Sequence, residues 1–338
     1  MSPRFSYMLK IMAVSAAVIG IGVTGVVPVW SQALQIEAMY VVEAVPLDDP
    51  WDEIWTRVPM EEVPLSAQNI VAPFGGGTVN GLRVRALHDD ARLYLLLEWP
   101  DEEVNEGVAG TTDFSDAAAV QFPVIAEAAT PYTMGGPGTP VNIWQWKAVW
   151  QRDLAEGFSG TLSEYPDTYV DLYPNEGETL FRPAEEVGNP LAQRLHASPI
   201  ENLVAEGFGT LTSSETQDVE GAGVWLQGSW RALFARDLAP ETEGLAAFSV
   251  DGSTMAAFAV WDGQAGDRDG QKSIAQFVDL SLSSRELSVA PAPVEGGIGS
   301  LLIVVVVVAI VAALAVRLAT LGRPGSAIRV EETPPEEE

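Results

Sequence analysis

The chain has 338 residues, with 47 acidic side chains against 18 basic ones, for a net charge of −29. So acidic a surface repels phosphate backbones and argues against a nucleic-acid partner; it serves solubility, or a docking face for a basic partner. Cysteine is absent and histidine occurs only as His88 and His196. That removes disulfides, cysteine-ligated zinc, iron–sulfur clusters, covalently attached c-type haem, thiol catalysis and any multi-histidine metal site.

Arg4 and Lys10 precede and open an apolar run over residues 11–29, and Ser31-Gln32-Ala33 follows. This pattern predicts a secretory signal, residues 1–33, cleaved before Leu34, with an uncleaved anchor as the alternative. Residues 34–287 form one exported domain, large enough for a sizeable core. Within it, Leu82, Val84 and Ala86 alternate with Arg83 and Arg85, and Leu93, Leu95 and Leu97 return after His88-Asp89-Asp90, a hairpin pattern. Residues 120–122, 224–226, 255–261 and 274–282 read as further strands, and 142–152 as a short helix. Residues 153–220 are polar and read as a long surface excursion. The sum predicts an all-β domain, an antiparallel β-sandwich.

Residues 288–297, with Pro291, Pro293, Gly296 and Gly297, read as a linker. Residues 298–321 follow, and 301–316 contain no polar side chain. At 1.5 Å rise per residue this stretch spans a bilayer as one helix, because a lone strand in lipid leaves its backbone unsatisfied. Arg317, Arg323 and Arg329 lie beyond it, which puts residues 322–338, an acidic tail, in the cytoplasm. The domain is then expected on the extracytoplasmic (periplasmic) face, anchored in the cytoplasmic membrane.

Two residues stand out for chemistry. Met134 lies in Pro131-Tyr132-Thr133-Met134-Gly135-Gly136-Pro137-Gly138, without apolar periodicity and before glycines that let a flat ligand approach the backbone. Its thioether is a soft donor suited to haem iron. Lys272 ends the loop Trp261-Asp262-Gly263 through Gly270-Gln271-Lys272 and is one of only three lysines, with Lys10 and Lys147. Its amine would have to be neutral to bind iron, which burial favours. Taken singly, each reads as an ordinary loop residue. Trp144, Trp146 and Trp150 around Lys147 suit a porphyrin or the core, and the core is the expected place for at least two of them. Asp262, Asp267 and Asp269 are read as turn caps in preference to calcium ligands. His88, at a hairpin turn, and His196, in the polar excursion, lack apolar surroundings, which argues against bis-histidine ligation.

The segments Pro50-Trp51-Asp52-Glu53-Ile54-Trp55, Met134-Gly135-Gly136-Pro137 through Trp144-Gln145-Trp146-Lys147, and Trp261-Asp262-Gly263 through Lys272-Ser273 resemble the haem b-binding γ subunit of ethylbenzene dehydrogenase and its relatives. The resemblance covers most of residues 40–285. It implies a β-sandwich holding one haem b, with Met134 and Lys272 on the positions of the axial iron ligands. It further implies a non-catalytic electron-transfer subunit, partnered by a catalytic molybdenum subunit and an iron–sulfur subunit. The C-terminal membrane helix departs from the soluble members and suggests exchange near the membrane. The alternatives are an exported carbohydrate-binding module and a ligand-free adhesion or scaffold domain.

Overall fold

The computed structural model describes residues 34–288 except 109, 126–127, 159–164, 169–182, 190–191 and 194–195. The expected signal, the linker beyond Ser288, the membrane helix and the acidic tail lie outside these residues. Among the described residues no helix is long and apolar enough to cross a membrane.

The domain is all-β. Its strands are β1 (Gln35–Tyr40), β2 (Glu61–Pro64), β3 (Ser66–Ala67), β4 (Gly81–His88), β5 (Arg92–Pro100), β6 (Ala117–Pro123) and β7 (Val141–Lys147). After helix α1 (Ala148–Glu156) come β8 (Ile200–Ala205), β9 (Thr212–Ser213), β10 (Glu220–Trp225), β11 (Ser229–Asp237), β12 (Ser253–Trp261), β13 (Ser273–Ile274) and β14 (Val278–Glu286). Hydrogen bonding runs in the order β10-β11-β5-β4-β1-β14-β12-β6-β7-β8-β9.

The sheet is mixed, which corrects the wholly antiparallel arrangement expected. β1 runs parallel to both β4 and β14. No tight turn joins β1 to either neighbour, so no hairpin dictates its direction. β12 joins the two limbs: residues 253–256 pair with β14 and residues 257–261 with β6.

The alternation of β4 holds as expected. Leu82, Val84 and Ala86 are fully buried, while Arg83 and Arg85 face Glu98, which Arg231 also reaches. One core cluster takes side chains from both limbs, among them Leu95, Leu97 and Phe234 from one and Val120, Phe122 and Trp144 from the other. Trp99, Trp146 and Trp230 meet within it, with centroids 4.7–6.5 Å apart. Such offset and edge contacts suit the ring quadrupoles.

Three further expectations change. Residues 142–147 form strand β7, and the helix begins only at Ala148. β7 lies between β6 and β8 with nearly every residue buried, so its pattern lost the alternation that marks a half-exposed strand. The strand expected over 274–282 is two strands, β13 and β14. The supposed excursion at 153–220 contains β8 and β9, so its second half belongs to the sheet.

His88 does not face solvent. It is fully buried, with Nδ1 3.0 Å from the Asp89 carbonyl and Nε2 2.9 Å from that of Ser283.

Candidate functional site

The inward side chains of β6, β7 and β12 fill the core, so their alternate residues face the other way. Ala119 and Gln121, then Ile143, Gln145 and Lys147, then Ala257, Ala259 and Trp261 line a cleft of about 650 Å³ together with Glu201 and Leu203 of β8. This volume lies in the range of roughly 300–1,000 Å³ typical of small-molecule and cofactor sites. Three alanines keep the wall low, and Ile143, Leu203 and Trp261 keep it apolar.

Met134 and Lys272, 138 positions apart in the sequence, both line this cleft. Each sits there at a local cost. Met134 has φ 69°, a left-handed conformation that a side chain with a Cβ disfavours. Its carbonyl accepts from Gly207 N–H at 2.8 Å, and Gly135 N–H donates to the Pro131 carbonyl at 3.0 Å. Gln121 Nε2 donates to the Tyr132 carbonyl at 3.1 Å, which ties the loop to β6. Gly135 is required, because a Cβ there would lie 2.5 Å from the Thr139 carbonyl oxygen. The Met134 side chain packs against the cluster formed by Ala119, Ile143, Leu203 and Trp261.

Lys272 Nζ lies 4.5 Å from the centre of the Trp261 ring. Burial pulls its pKa down to about 8, opposed by the charge of Asp269. Among the described residues no carboxylate lies within ion-pair distance of it. Its backbone is clamped by the loop 68–77: Gln68 N–H donates to the Lys272 carbonyl at 3.0 Å, and Lys272 N–H to the Gly75 carbonyl at 3.2 Å. Gln68 Nε2 also donates to the Gly270 carbonyl at 3.0 Å. Gly76 permits the approach, since a Cβ there would lie 2.2 Å from Lys272 N. The run Gly75-Gly76-Gly77, not singled out above, is the sequence signal that could have pointed to this clamp.

Lys147 also reaches the cleft, but its charge is engaged. It pairs with Glu201, which also accepts from the Ser213 hydroxyl, and it lies 4.3 Å from the Trp150 ring centre. Trp144 and Trp146 belong to the core, and Trp150 stacks on His196 at 3.8 Å, so the expectation for these tryptophans holds. His196 thus has an aromatic neighbour that its polar surroundings in sequence hid. Neither histidine lines the cleft. Behind its wall, Asn142 binds Asn202, Leu203 and Arg236, tying β7, β8 and β11 together. Burial brings the Arg236 pKa down to about 10.

In the 262–271 loop the aspartates behave largely as turn caps. Asp262 accepts from Ala265 N–H, and Asp267 from Asp262 N–H. Among the described tryptophans, Trp51 and Trp225 are half-buried and the others are buried.

The donor set fits a haem: a thioether and a half-buried amine share a largely apolar cleft, and no cysteine exists for covalent attachment.

The chain is also similar to known proteins. A protein of Haloferax mediterranei described as a respiratory nitrate reductase heme subunit is 30% identical over 241 residues, 70% of each chain. The chlorate reductase subunit gamma of Ideonella dechloratans is 28% identical, covering 78% of this chain and 90% of its own. The dimethylsulfide dehydrogenase subunit gamma of Rhodovulum sulfidophilum is 26% identical, covering 73% and 78%. The family model described as ethylbenzene dehydrogenase matches residues 52–273, and the chain belongs to this family, of the γ-subunit type.

Proposed function

We propose that the chain is a non-catalytic, b-type haem electron-transfer subunit of a molybdenum oxidoreductase complex. It would relay electrons between an iron–sulfur subunit and an external or membrane carrier. A bound haem supplies the one-electron couple. The protein supplies the ligands, the burial and the docking.

Met134 would hold the iron through its thioether and Lys272 through its neutral amine. Ala119, Ile143, Leu203, Ala257, Ala259 and Trp261 would exclude water from the porphyrin. The clamp of Gln68 and Gly75–Gly77 would fix the lysine backbone. One observation carries the reading: the two residues that break local rules, a left-handed methionine and a desolvated lysine, line the same cleft. Proteins keep such locally unfavourable residues chiefly where function requires them. The names of the relatives support a haem and a multi-subunit redox enzyme.

The doubled-over sheet would act as a β-sandwich scaffold. Residues 298–321 would tether the domain to the cytoplasmic membrane, with the domain on the extracytoplasmic side.

Reconstituting the purified chain with haem tests this. A Soret band with sharp α and β bands on reduction is expected. Met134→Ala and Lys272→Ala should each shift the spectrum and lower haem retention. Unchanged spectra in both variants would remove the ligand assignment.

A further inference from the structure

Outside the cleft, three carboxylates that are far apart in sequence come together. Asp101 follows β5, Asp116 precedes β6 and Asp262 follows β12. One carboxylate oxygen from each lies within 4.8 Å of the other two. Asp101 and Asp116 are buried, at 7% and 0% exposure. No lysine or arginine among the described residues pairs with any of the three. Burial and mutual repulsion raise the Asp101 pKa to about 7, and burial raises that of Asp116 to about 6.

Much of the cluster is satisfied by hydrogen bonds. Asp116 Oδ1 accepts from Gly263 N–H, and its Oδ2 accepts from Asn105 N–H and the Trp230 indole. Asp262 accepts from the Thr78 hydroxyl and Ala265 N–H. Asp101 Oδ1 accepts from Glu103 N–H. Two acceptors remain without a hydrogen bond: Asp101 Oδ2, which has the likewise unbonded Trp99 indole N–H beside it, and the side-chain oxygen of Asn105. A buried acceptor with no donor is costly, and the neighbouring negative charge makes it more so. A cation among the three carboxylates would relieve the cost at Asp101.

We infer that Asp101, Asp116 and Asp262 form a binding site for one calcium ion. All the donors are oxygens, which suits a hard cation and not zinc or copper. Oxygens bonded to one calcium ion at about 2.3–2.6 Å lie within roughly 5 Å of one another, so a cluster whose oxygens all fall within 4.8 Å can hold it. The ion would join the ends of β5, β6 and β12 and pin the start of the loop that ends at Lys272. This site stands independently of the haem reading.

The test uses the full chain, stripped with a chelator and titrated with calcium by calorimetry. Terbium luminescence excited through tryptophan provides a second readout, because the Trp230 indole lies 3.1 Å from Asp116 Oδ2. The wild type should bind one ion and gain thermal stability from it. Asp101→Asn keeps the shape, removes one charge and should weaken calcium binding about tenfold or more. The calcium-free melting temperature shows that this variant folds. Asp90→Asn, at the hairpin turn, controls for the general acidity of the surface and should leave binding unchanged. Absence of binding to the wild type, or equal weakening in both variants, would overturn the assignment.

Discussion

Replacing Lys272 by methionine should make the cofactor-free chain more stable while impairing haem binding. The unfolded chain protonates this amine at its ordinary pKa of 10.5, and the folded chain only at about 8. At about 1.4 kcal/mol per unit, the difference costs the folded state roughly 3 kcal/mol near neutral pH. The lost contact of the ammonium with Trp261 returns about 1 kcal/mol, leaving a net gain of about 2 kcal/mol for Lys272→Met. Methionine fills the space with little strain.

The sign follows from proton counting. Between the folded and unfolded pKa values the unfolded state binds more protons, so wild-type stability rises with pH across that window. The variant lacks this rise. Its advantage should therefore be full below about pH 8 and fall below about 1 kcal/mol near pH 10. Urea unfolding of both cofactor-free proteins at the two pH values measures it. A variant no more stable than the wild type near pH 7, or an advantage that persists at pH 10, would refute the claim that Lys272 is held at a cost.

Two other substitutions test the framework around the cleft. Gly76→Ala places a Cβ against the Lys272 backbone at a residue with φ 77°. It should destabilise the domain by about 2 kcal/mol and lower haem retention although no ligand is changed, as read by urea unfolding and by absorbance after gel filtration. Asn142→Ala takes an acceptor from the buried Arg236 guanidinium and should cost about 3 kcal/mol in urea unfolding, with the m-value unchanged.

What could be read from the chain alone depended on solvent exposure. The hairpin of β4 and β5 was legible because Arg83 and Arg85 alternate with buried residues and Asp89 caps the turn through Ala91 and Arg92 N–H. β7 was hidden because it lies within the sheet and shows no polar alternation. Strands β8 and β9 were hidden by the polar stretch before them, yet Glu201, Leu203 and Ser213 line the cleft. Met134 and Lys272 drew attention through unusual surroundings, a glycine-rich segment and a scarcity of lysine, but each alone read as a loop residue, and only the resemblance to the γ-subunit family put them on ligand positions. The left-handed backbone at Met134 and the desolvation of Lys272 are products of tertiary contacts. The cluster of Asp101, Asp116 and Asp262 had no sequence signature, because three strand ends assemble it. The polarity of Asp262, Asp267 and Asp269 drew attention to a different grouping within one loop.

The central claim is that one iron is held by Met134 and Lys272 together. An experimental structure of the haem-loaded chain, with the iron located by its anomalous scattering, tests it most directly. A single iron peak in the cleft, bonded to both Met134 Sδ and Lys272 Nζ, is expected. Iron ligated by His196 or Lys147 instead, or a haem lying elsewhere on the domain, would contradict it.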